Sequence, residues 1–265
     1  MNTPADIKAC CAASYGNDAV ALVLGEAYHP GGQALTRTLA ARLRLRGGGR
    51  VADIASGPGA TARMLATDHD VTVDGVDLGQ STLDRARQVT SAAGLATKVR
   101  FHLGDAERIP LPENTFDAVV CECAFCTFPD KPRAAAEFAR ILRTGGRVGI
   151  TDVTVTDAGL PDELTTLAAW VACIADARPL GTYTAILEQA GLRVVHTEPH
   201  DAAIARMVDE IDARIRVLRM TAATRLTEAG VDVDAVLRYT ALARQAVADG
   251  VIGYAMLIAE KPGRP

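Results

Sequence analysis

The stretch VADIASGPG, residues 51–59, passes from apolar residues into two closely spaced glycines. The pattern predicts a short strand over Arg50–Ala55 and a helix over Ala60–Ala66. The missing side chains of Gly57 and Gly59 would let the backbone approach a ligand, and the N–H groups at the helix start favour an anionic or polar group. A tight βα turn would use the same glycines, so the loop needs support from its neighbours before it indicates a site.

Strand and helix patterns alternate outward from this loop. The predicted strands are Arg50–Ala55, Val71–Val76, Val99–Leu103, Phe116–Val120, Arg147–Val155, Val194–His196 and Tyr254–Glu260. The predicted helices are Ala60–Ala66, Ser81–Ala93, Lys131–Leu142, Pro161–Ala177, Tyr183–Ala190, Ala202–Thr227 and Val233–Asp249. Because such alternation is typical of parallel βαβ units, we expect an α/β fold with a Rossmann-like, doubly wound, seven-stranded, mostly parallel sheet.

The domain organisation follows from the breaks in this pattern. Leu35, Leu39 and Leu43 are spaced like one helix face, and three glycines end that segment at residues 47–49. We expect residues 1–46 to form a helical N-terminal lid segment and residues 47–265 to form the main domain. Helical insertions are expected at about 157–180, as an inserted lid, and at about 201–249.

Composition narrows the class of partner. The 265-residue chain has a net charge of −4 and no basic stripe, and aromatic residues make up 4%, which argues against nucleic acid. The N-terminus lacks the layout of a signal peptide, and charged residues interrupt every apolar stretch before it reaches membrane-spanning length. We expect a cytoplasmic protein that acts on a small molecule without a membrane. Its six cysteines then indicate metal, metalloid or catalytic chemistry more than disulfides.

Acidic residues stand where the next two strands end. Asp77 comes 20 residues after Gly57, where a carboxylate could accept hydrogen bonds from both hydroxyls of a ribose. It could also cap the helix Ser81–Ala93, and the two roles are compatible. Asp105 could accept from an adenine amino group while Ala106 supplies an N–H, or Asp105 could be a turn residue. These positions favour an adenosine-containing ligand.

Five motifs in order resemble class I S-adenosylmethionine-dependent methyltransferases. They are Asp53-Ile-Ala-Ser-Gly-Pro-Gly59, Gly75-Val-Asp77, Gly104-Asp-Ala106, Phe116-Asp-Ala-Val-Val120 and Leu142-Arg-Thr-Gly-Gly-Arg-Val148. The resemblance implies S-adenosylmethionine as cofactor, bound by Asp53, Ala55, Gly57, Gly59, Asp77, Leu78, Asp105, Ala106 and Cys121. One departure is Ala55, where the family usually has glycine. A nicotinamide-binding loop would need a third glycine at position 62, which is Ala62.

Cysteines suggest the methyl acceptor. Cys121-Glu-Cys-Ala-Phe-Cys-Thr-Phe-Pro-Asp-Lys131 resembles the segment after the fourth strand of arsenite methyltransferases, with Cys123 at the matching cysteine. Trp170–Ala177 resembles that family's later helix and places its other arsenic-binding cysteine at Cys173, and Asp6–Cys11 resembles the N-terminal cysteine segment. The resemblance implies that Cys123 and Cys173 hold trivalent arsenic as substrate, with Cys10 and Cys11 as further catalytic thiols. Soft arsenic prefers thiolate sulfur.

Other interpretations remain open. The flanks of Cys173 lack the glycines that the family usually shows, and Cys121 and Cys126 are additional. Cys121 could equally be a core residue that continues a buried strand. The chain could be a small-molecule methyltransferase of specialised metabolism, or a non-catalytic metalloid-binding protein on the same fold.

A turn at Tyr28-His29-Pro30-Gly31-Gly32 predicts a segment that folds over the cofactor. A lone histidine such as His29 more often caps a helix or lies on the surface. We assign no histidine a catalytic role from the sequence.

Overall fold

The structure is a computed structural model that describes residues 3, 6, 8, 9, 23, 28–160, 162–164, 174, 176–228 and 230–263. The strands in these residues are β1 (Arg50–Ile54), β2 (Thr72–Asp77), β3 (Val99–Leu103), β4 (Phe116–Glu122), β5 (Leu142–Val155), β6 (Arg193–Pro199) and β7 (Ile252–Glu260). The α-helices are α1 (Gly32–Leu43), α2 (Ala60–His69), α3 (Gln80–Ala92), α4 (Lys131–Ile141), α5 (Leu180–Gln189), α6 (Asp201–Thr221), α7 (Ala223–Glu228) and α8 (Val233–Ala248). Single 3₁₀ turns occupy Phe125–Thr127 and Asp162–Leu164.

The seven strands form one sheet in the order β3-β2-β1-β4-β5-β7-β6. Five neighbouring strands, β3, β2, β1, β4 and β5, run parallel to one another. Strand β7 runs antiparallel to both of its neighbours, β5 and β6. This confirms the predicted Rossmann-like, mostly parallel α/β fold. Chain order reverses between β1 and β4, and the carboxyl ends of strands at such a reversal form the usual ligand crevice of open α/β sheets.

The central strands are buried on both faces. Val51, Ala52 and Ile54 of β1 have no exposed surface, and the run Ala118–Cys121 of β4 is equally covered. Helices on both sides of a parallel sheet produce this burial, which explains why these strands are continuous apolar runs rather than alternating ones. The rigid centre of the sheet therefore carries the loops at its carboxyl edge.

One aromatic ring explains two glycines beside the β1–α2 loop. A Cβ on Gly59 would lie 2.4 Å from Cζ of Phe101, and a Cβ on Gly75 would lie 2.6 Å from Cδ1 of the same ring. The ring of Phe101 fills the space that these glycines leave, because real Cβ atoms do not approach so closely. Gly59 is thus required for packing, whereas a Cβ on Gly57 would meet no atom of the described residues within 4 Å.

Several predicted boundaries differ from the structure. The helix predicted over Lys131–Leu142 ends at Ile141, because Leu142 already has extended dihedral angles and begins β5, which was predicted to begin at Arg147. The expected helix Ala202–Thr227 is two helices, separated at Ala222, whose backbone leaves the helical region. The N-cap of α3 is Gly79 rather than Asp77. In each case the dihedral angles of one residue decide the boundary, which composition does not reveal.

The two predicted lids are only partly described. Within residues 1–46 the structure has α1 and isolated helical positions at 6, 8, 9 and 23. Most of the predicted helix Pro161–Ala177 lies outside the described residues, as do Cys10, Cys11 and Cys173. The division at residue 46 therefore stays a prediction. Among the described helices, none has both the length and the apolar composition needed to cross a membrane.

Candidate active site

A cleft opens at the carboxyl ends of β1, β2 and β4. One compartment, called here the main cavity, is lined by Lys8, Tyr28, Ala55, Gly57, Pro58, Val76, Asp77, Leu78, Gly104, Asp105, Ala106, Glu122, Cys123, Ala124, Thr127, Phe128 and Pro129. A second compartment is lined by Tyr28, His29, Gln33, Thr36, Asp53, Ala55, Ser56, Gly57, Pro58, Ala60, Thr61, Met64 and Glu122. The two share five lining residues, so they adjoin across the glycine loop and the end of β4.

Asp77 holds the glycine loop in place. Its carboxylate accepts hydrogen bonds from the amides of Gly57, at 2.9 Å, and Gly79, at 2.8 Å. Burial raises the pKa of Asp77, although the amide hydrogen bonds from Gly79 and Gly57 act against this rise. A carboxylate has about four acceptor sites. Asp77 therefore keeps acceptor capacity for hydroxyl groups of a ligand in the main cavity.

The second compartment carries buried polar atoms that lack a hydrogen-bond partner among the described residues. They are Oδ2 of Asp53 and Oγ of Ser56. Burial raises the pKa of Asp53 well above its usual range, and the negative charges of Glu122 and Asp77 raise it further. Unpaired buried polar groups are costly, and a carboxylate among other carboxylates favours a positively charged ligand group. The compartment is suited to a donor-rich cation such as an ammonium group.

Two residues beside the cavity have left-handed backbone conformations that favour glycine. Ala55 has φ 59° and Cys123 has φ 52°. At Ala55 this is the physical reason why glycine suits the position, since a Cβ in this region costs about 1–2 kcal/mol. Such strained residues are often found at functional sites. The amide of Cys123 donates to the carbonyl of Thr151 at 2.7 Å, which ties the strained turn to β5.

Glu122, the last residue of β4, lies where both compartments meet. Its carboxylate accepts from the hydroxyl of Thr61 at 2.8 Å and from that of Thr36 at 3.1 Å. Nε2 of His29 lies 3.7 Å from the same carboxylate, and the Glu122 side chain is 5% exposed. Elements far apart in sequence therefore converge on one buried carboxylate.

Lys8 approaches the cleft from the N-terminal segment. Its ammonium donates to Asp105 at 2.7 Å and also to Glu107. Burial by itself would lower the pKa of Lys8, but these two carboxylates outweigh it and raise the pKa. Asp105 also accepts from the amide of Glu107 at 2.9 Å, so the turn role of Asp105 is present in the structure.

The structure brings most of the predicted site residues to the cleft. The residues lining it are Asp53, Ala55, Gly57, Asp77, Leu78, Asp105, Ala106 and Cys123. Two predicted cofactor contacts do not line either compartment. Cys121 is fully buried within β4, and Gly59 packs against Phe101 instead of lining either compartment.

The cysteine cluster is not assembled by the described residues. Cys121 and Cys126 are buried, and Cys123 faces the main cavity. Within the described part of the chain, no group of three or more His, Cys, Asp or Glu side chains is arranged to hold a metal ion. Cys10, Cys11 and Cys173 lie outside it, so their convergence with Cys123 stays a prediction.

Sequence reasoning missed Lys8, Glu122 and the place of His29. Glu122 had a usable signal, because a polar residue at the carboxyl end of a central parallel strand stands at the ligand crevice. No signal in the sequence pointed to Lys8, since its partner Asp105 is 97 residues away. His29 was expected to cap a helix or lie on the surface, yet it lines the second compartment.

Comparison with known proteins agrees with this geometry. Residues 52–150 match the family model described as a methyltransferase domain. Methyltransferase GfsG of Streptomyces halstedii is 33% identical over 164 residues, which cover 61% of this chain and 59% of that protein. An arsenite methyltransferase of Halobacterium salinarum is 32% identical over 157 residues, which cover 58% of this chain and 40% of that protein. The chain thus spans about half the length of these two relatives.

A solved structure shares the fold. Phosphoethanolamine N-methyltransferase 2 of Haemonchus contortus superposes with a TM-score of 0.80 and 22% identity, covering 99% of this chain and 59% of that one. The sheet order, the glycine loop and the cleft define a Rossmann-like methyltransferase. Residues 52–150 therefore form a methyltransferase domain, and the sheet around them has the fold of the class I S-adenosylmethionine-dependent methyltransferases.

Proposed function

We propose that this protein binds S-adenosylmethionine in the cleft and transfers its methyl group to thiol-bound trivalent arsenic. The observation that carries the proposal is the position of Cys123, which lines the main cavity at the carboxyl end of β4 beside Glu122. Arsenic is the substrate here, and thiolate sulfur is the ligand that it prefers. The relative named as an arsenite methyltransferase supports this choice of acceptor.

The residues of the main cavity fit the nucleoside part of the cofactor. Asp77 would accept from the ribose hydroxyls with the acceptor sites that Gly57 and Gly79 leave unused. Asp105 would accept from the adenine amino group, with Ala106 and Leu78 packing beside the base. Because Lys8 already pairs with Asp105, the N-terminal segment and the base would meet at this carboxylate.

The residues of the second compartment fit the amino-acid part. Asp53, with its unpaired buried oxygen, would accept from the ammonium group, and the backbone of Ala55 and Gly57 would approach it closely. When bound, the cofactor supplies a methyl group on a positively charged sulfur atom. The carboxylates of Asp53, Asp77 and Glu122 surround the cleft with negative charge, which stabilises a cation there.

The proposed role of the thiols is to orient the acceptor. Cys123 and Cys173 would bind arsenic as thiolates, and Cys10 or Cys11 would supply a further sulfur. Arsenic would then keep its lone pair toward the methyl carbon, so that the protein contributes proximity and orientation. Such thiolates must stay reduced, which is why we also propose a cytoplasmic location and a small-molecule partner.

The test is to incubate the purified chain with arsenite, glutathione and S-adenosylmethionine and to identify methylated arsenic by mass spectrometry. We expect methylarsenicals to form only with all three components. Calorimetry with S-adenosylmethionine is run in parallel, because it separates the two parts of the proposal. Binding without methylated arsenic would reject the acceptor, and absent binding would reject the cofactor.

A further inference from the structure

Glu122 is a buried carboxylate that pairs with no lysine or arginine within the part of the chain that the structure describes. Its side chain is 5% exposed, and the basic atom within ion-pair distance is Nε2 of His29, at 3.7 Å. Hydroxyl groups of Thr61, at 2.8 Å, and Thr36, at 3.1 Å, donate to it. A buried charge is costly unless it is paired, so this carboxylate is suited to a cation that arrives with a ligand.

The contact with His29 leaves Glu122 able to bind such a cation. Their separation of 3.7 Å is longer than the 2.7–2.9 Å of a charge-assisted hydrogen bond. The hydroxyl of Thr36 is closer to the carboxylate than the ring is, and it lies 3.4 Å from Nε2. A carboxylate has about four acceptor sites, and the two threonine hydroxyls leave part of that capacity unused.

Glu122 lies on the boundary between the two compartments of the cleft. The residues that line both compartments are Tyr28, Ala55, Gly57, Pro58 and Glu122. Glu122 is the carboxylate among these five, whereas Asp77 lines the main cavity alone and Asp53 lines the second compartment alone. A ligand that extends through both compartments must therefore pass Glu122.

The proposed function gives this boundary a specific ligand atom. It assigns the nucleoside part of S-adenosylmethionine to the main cavity and the amino-acid part to the second compartment. The positively charged sulfur joins these two parts, so it would fall at the boundary beside Glu122. The ammonium group would fall beside Asp53, so the two carboxylates would serve two different charges of one ligand.

We propose that Glu122 is the counter-ion of the sulfonium group and the residue by which the protein distinguishes S-adenosylmethionine from S-adenosylhomocysteine, whose sulfur is neutral. This inference rests on the proposed methyl-transfer function and assigns a specificity-determining residue to the same cleft. Thr36 on α1 and Thr61 on α2 are positioning residues, because their hydroxyls hold the carboxylate from two helices.

The charge of Glu122 acts across the cleft. Burial is the main cause of the raised pKa of Asp53, and the negative charge of Glu122 is the next cause. Two carboxylates in a buried compartment repel each other, and a cation between them removes that repulsion. Charges also interact more strongly where water is excluded than in solution. Glu122 should thus bind a charged sulfur more tightly than a neutral one.

The same contact favours release of the product. In methyl transfer the bond between sulfur and the methyl carbon breaks, and a bond between the acceptor and that carbon forms. The electron pair of the broken bond stays on sulfur, which becomes neutral, and the positive charge passes to the acceptor. Glu122 then has no sulfonium to pair with, so the protein should hold the product less tightly than the cofactor.

The first experiment uses the parent protein and three ligands. Calorimetry gives the Kd of S-adenosylmethionine, of S-adenosylhomocysteine and of sinefungin, in which a carbon with a protonated amino group replaces the methylated sulfur. We expect both positively charged ligands to bind at least about 10-fold more tightly than S-adenosylhomocysteine. A smaller preference for either of them would overturn the proposal, and this comparison needs no variant.

Two substitutions then separate the sulfonium group from the rest of the ligand. In Glu122→Gln the affinity for both positively charged ligands should fall about 10-fold or more, while that for S-adenosylhomocysteine stays within about 3-fold. In Asp53→Asn all three affinities should fall by a similar factor, because all three ligands carry the same ammonium group. Equal weakening of all three ligands in Glu122→Gln would indicate a merely structural role and reject the proposal.

Further variants check charge and folding. Glu122→Asp keeps the charge and should restore part of the preference that Glu122→Gln loses, and no restoration would count against the counter-ion. Glu198→Gln is the matched control, because Glu198 also lies near a histidine, His196 at 2.9 Å, but lines neither compartment. Its three affinities should equal those of the parent protein. Thermal melts show which variants fold.

The outcomes are distinguishable from those for the proposed function. If none of the three ligands binds the folded parent protein, the cofactor proposal fails first. If S-adenosylmethionine and S-adenosylhomocysteine bind with equal Kd, the counter-ion is rejected while the cofactor proposal stands.

Discussion

The carboxylate of Asp77 accepts a hydrogen bond from the amide of Gly57 at 2.9 Å, across 20 residues of chain. The end of β2 thereby fixes the conformation of the loop that follows β1. A ribose contact and a loop contact can share one carboxylate, because its oxygens offer about four acceptor sites.

Replacing Asp77 with Asn should weaken binding of S-adenosylmethionine by about 10- to 100-fold, since a charge-assisted hydrogen bond contributes about 1.5–3 kcal/mol. Asparagine keeps one acceptor oxygen but offers an NH₂ group to a backbone amide that needs an acceptor. Calorimetry measures the change. Asp84→Asn, an exposed change on α3, is the control that should bind normally. Equal affinity of the Asp77 variant and the parent protein would contradict the assignment.

Ala55→Gly should raise the free energy of unfolding by about 1 kcal/mol, because φ 59° is unfavourable for any residue with a Cβ. Chemical denaturation measures this. Ala136→Gly, on the exposed side of α4, should do the opposite and cost about 1 kcal/mol. Two alanine-to-glycine changes with opposite signs isolate the backbone effect, and a loss of stability in both would refute it.

The glycines at 57 and 59 should respond differently to alanine. Gly59→Ala should lower the free energy of unfolding by more than about 2 kcal/mol, because its Cβ would overlap the ring of Phe101 and its φ is 77°. Gly57→Ala has room for the Cβ and should cost only about 1 kcal/mol of strain. The Cβ of Gly57→Ala would instead enter the cavity and weaken cofactor binding. Thermal melts and calorimetry on both variants test this division.

Asp53→Asn should stabilise the cofactor-free protein as the pH rises. A carboxyl group whose pKa is raised by folding binds protons more tightly in the folded state, so stability falls as pH rises from about 3.9 toward the raised value. Each unit by which folding raises the pKa corresponds to about 1.4 kcal/mol of the free energy of unfolding. Above pH 4 the free energy of unfolding of Asp53→Asn should therefore exceed that of the parent protein by an amount that grows with pH. The affinity of this variant for S-adenosylmethionine should be lower than that of the parent protein.

Asp74 provides the opposite case on the neighbouring strand. Burial alone would raise the pKa of Asp74, but hydrogen bonds from His102 and Arg50 outweigh it and lower the pKa. Its contribution to stability is present above pH 4 and is lost as the pH falls through the lowered value. Asp74→Asn should thus be less stable than the parent at neutral pH. If Asp53→Asn and Asp74→Asn changed the free energy of unfolding at neutral pH in the same direction, the assigned causes of the two pKa shifts would be wrong.

Cys123→Ser should lower arsenic methylation by about 100-fold or more, because a hydroxyl is a poor ligand for arsenic and the acceptor loses its orientation. Its affinity for S-adenosylmethionine should stay within about 3-fold of the parent protein. Cys126→Ala is the matched control: this thiol is buried in the following turn, and its loss should cost stability but not activity. Full activity of Cys123→Ser would reject the proposed ligand.

The order of strands and helices was readable from the sequence, because hydrophobic periodicity and glycine positions are local signals of secondary structure. The same holds for Asp53, Asp77 and Asp105, whose spacing from the glycines follows from strand length. The ends of the elements were less predictable, because each depends on the dihedral angles of a single residue. Strand β5 begins at Leu142, and Gly79 is the N-cap of α3. Gly59 looked like a ligand contact, and only the position of the Phe101 ring reveals its packing role.

The sequence by itself determined that the chain forms a methyltransferase sheet with an acidic cofactor crevice, since those motifs lie in contiguous segments. Only the tertiary structure decided that His29, Thr36 and Thr61 meet at Glu122 and that Lys8 reaches Asp105. The physical reason is that these contacts join residues up to 97 positions apart, and their side chains converge only when the helices pack on the sheet. Local periodicity records which face of an element is buried, but not which distant side chain it will contact.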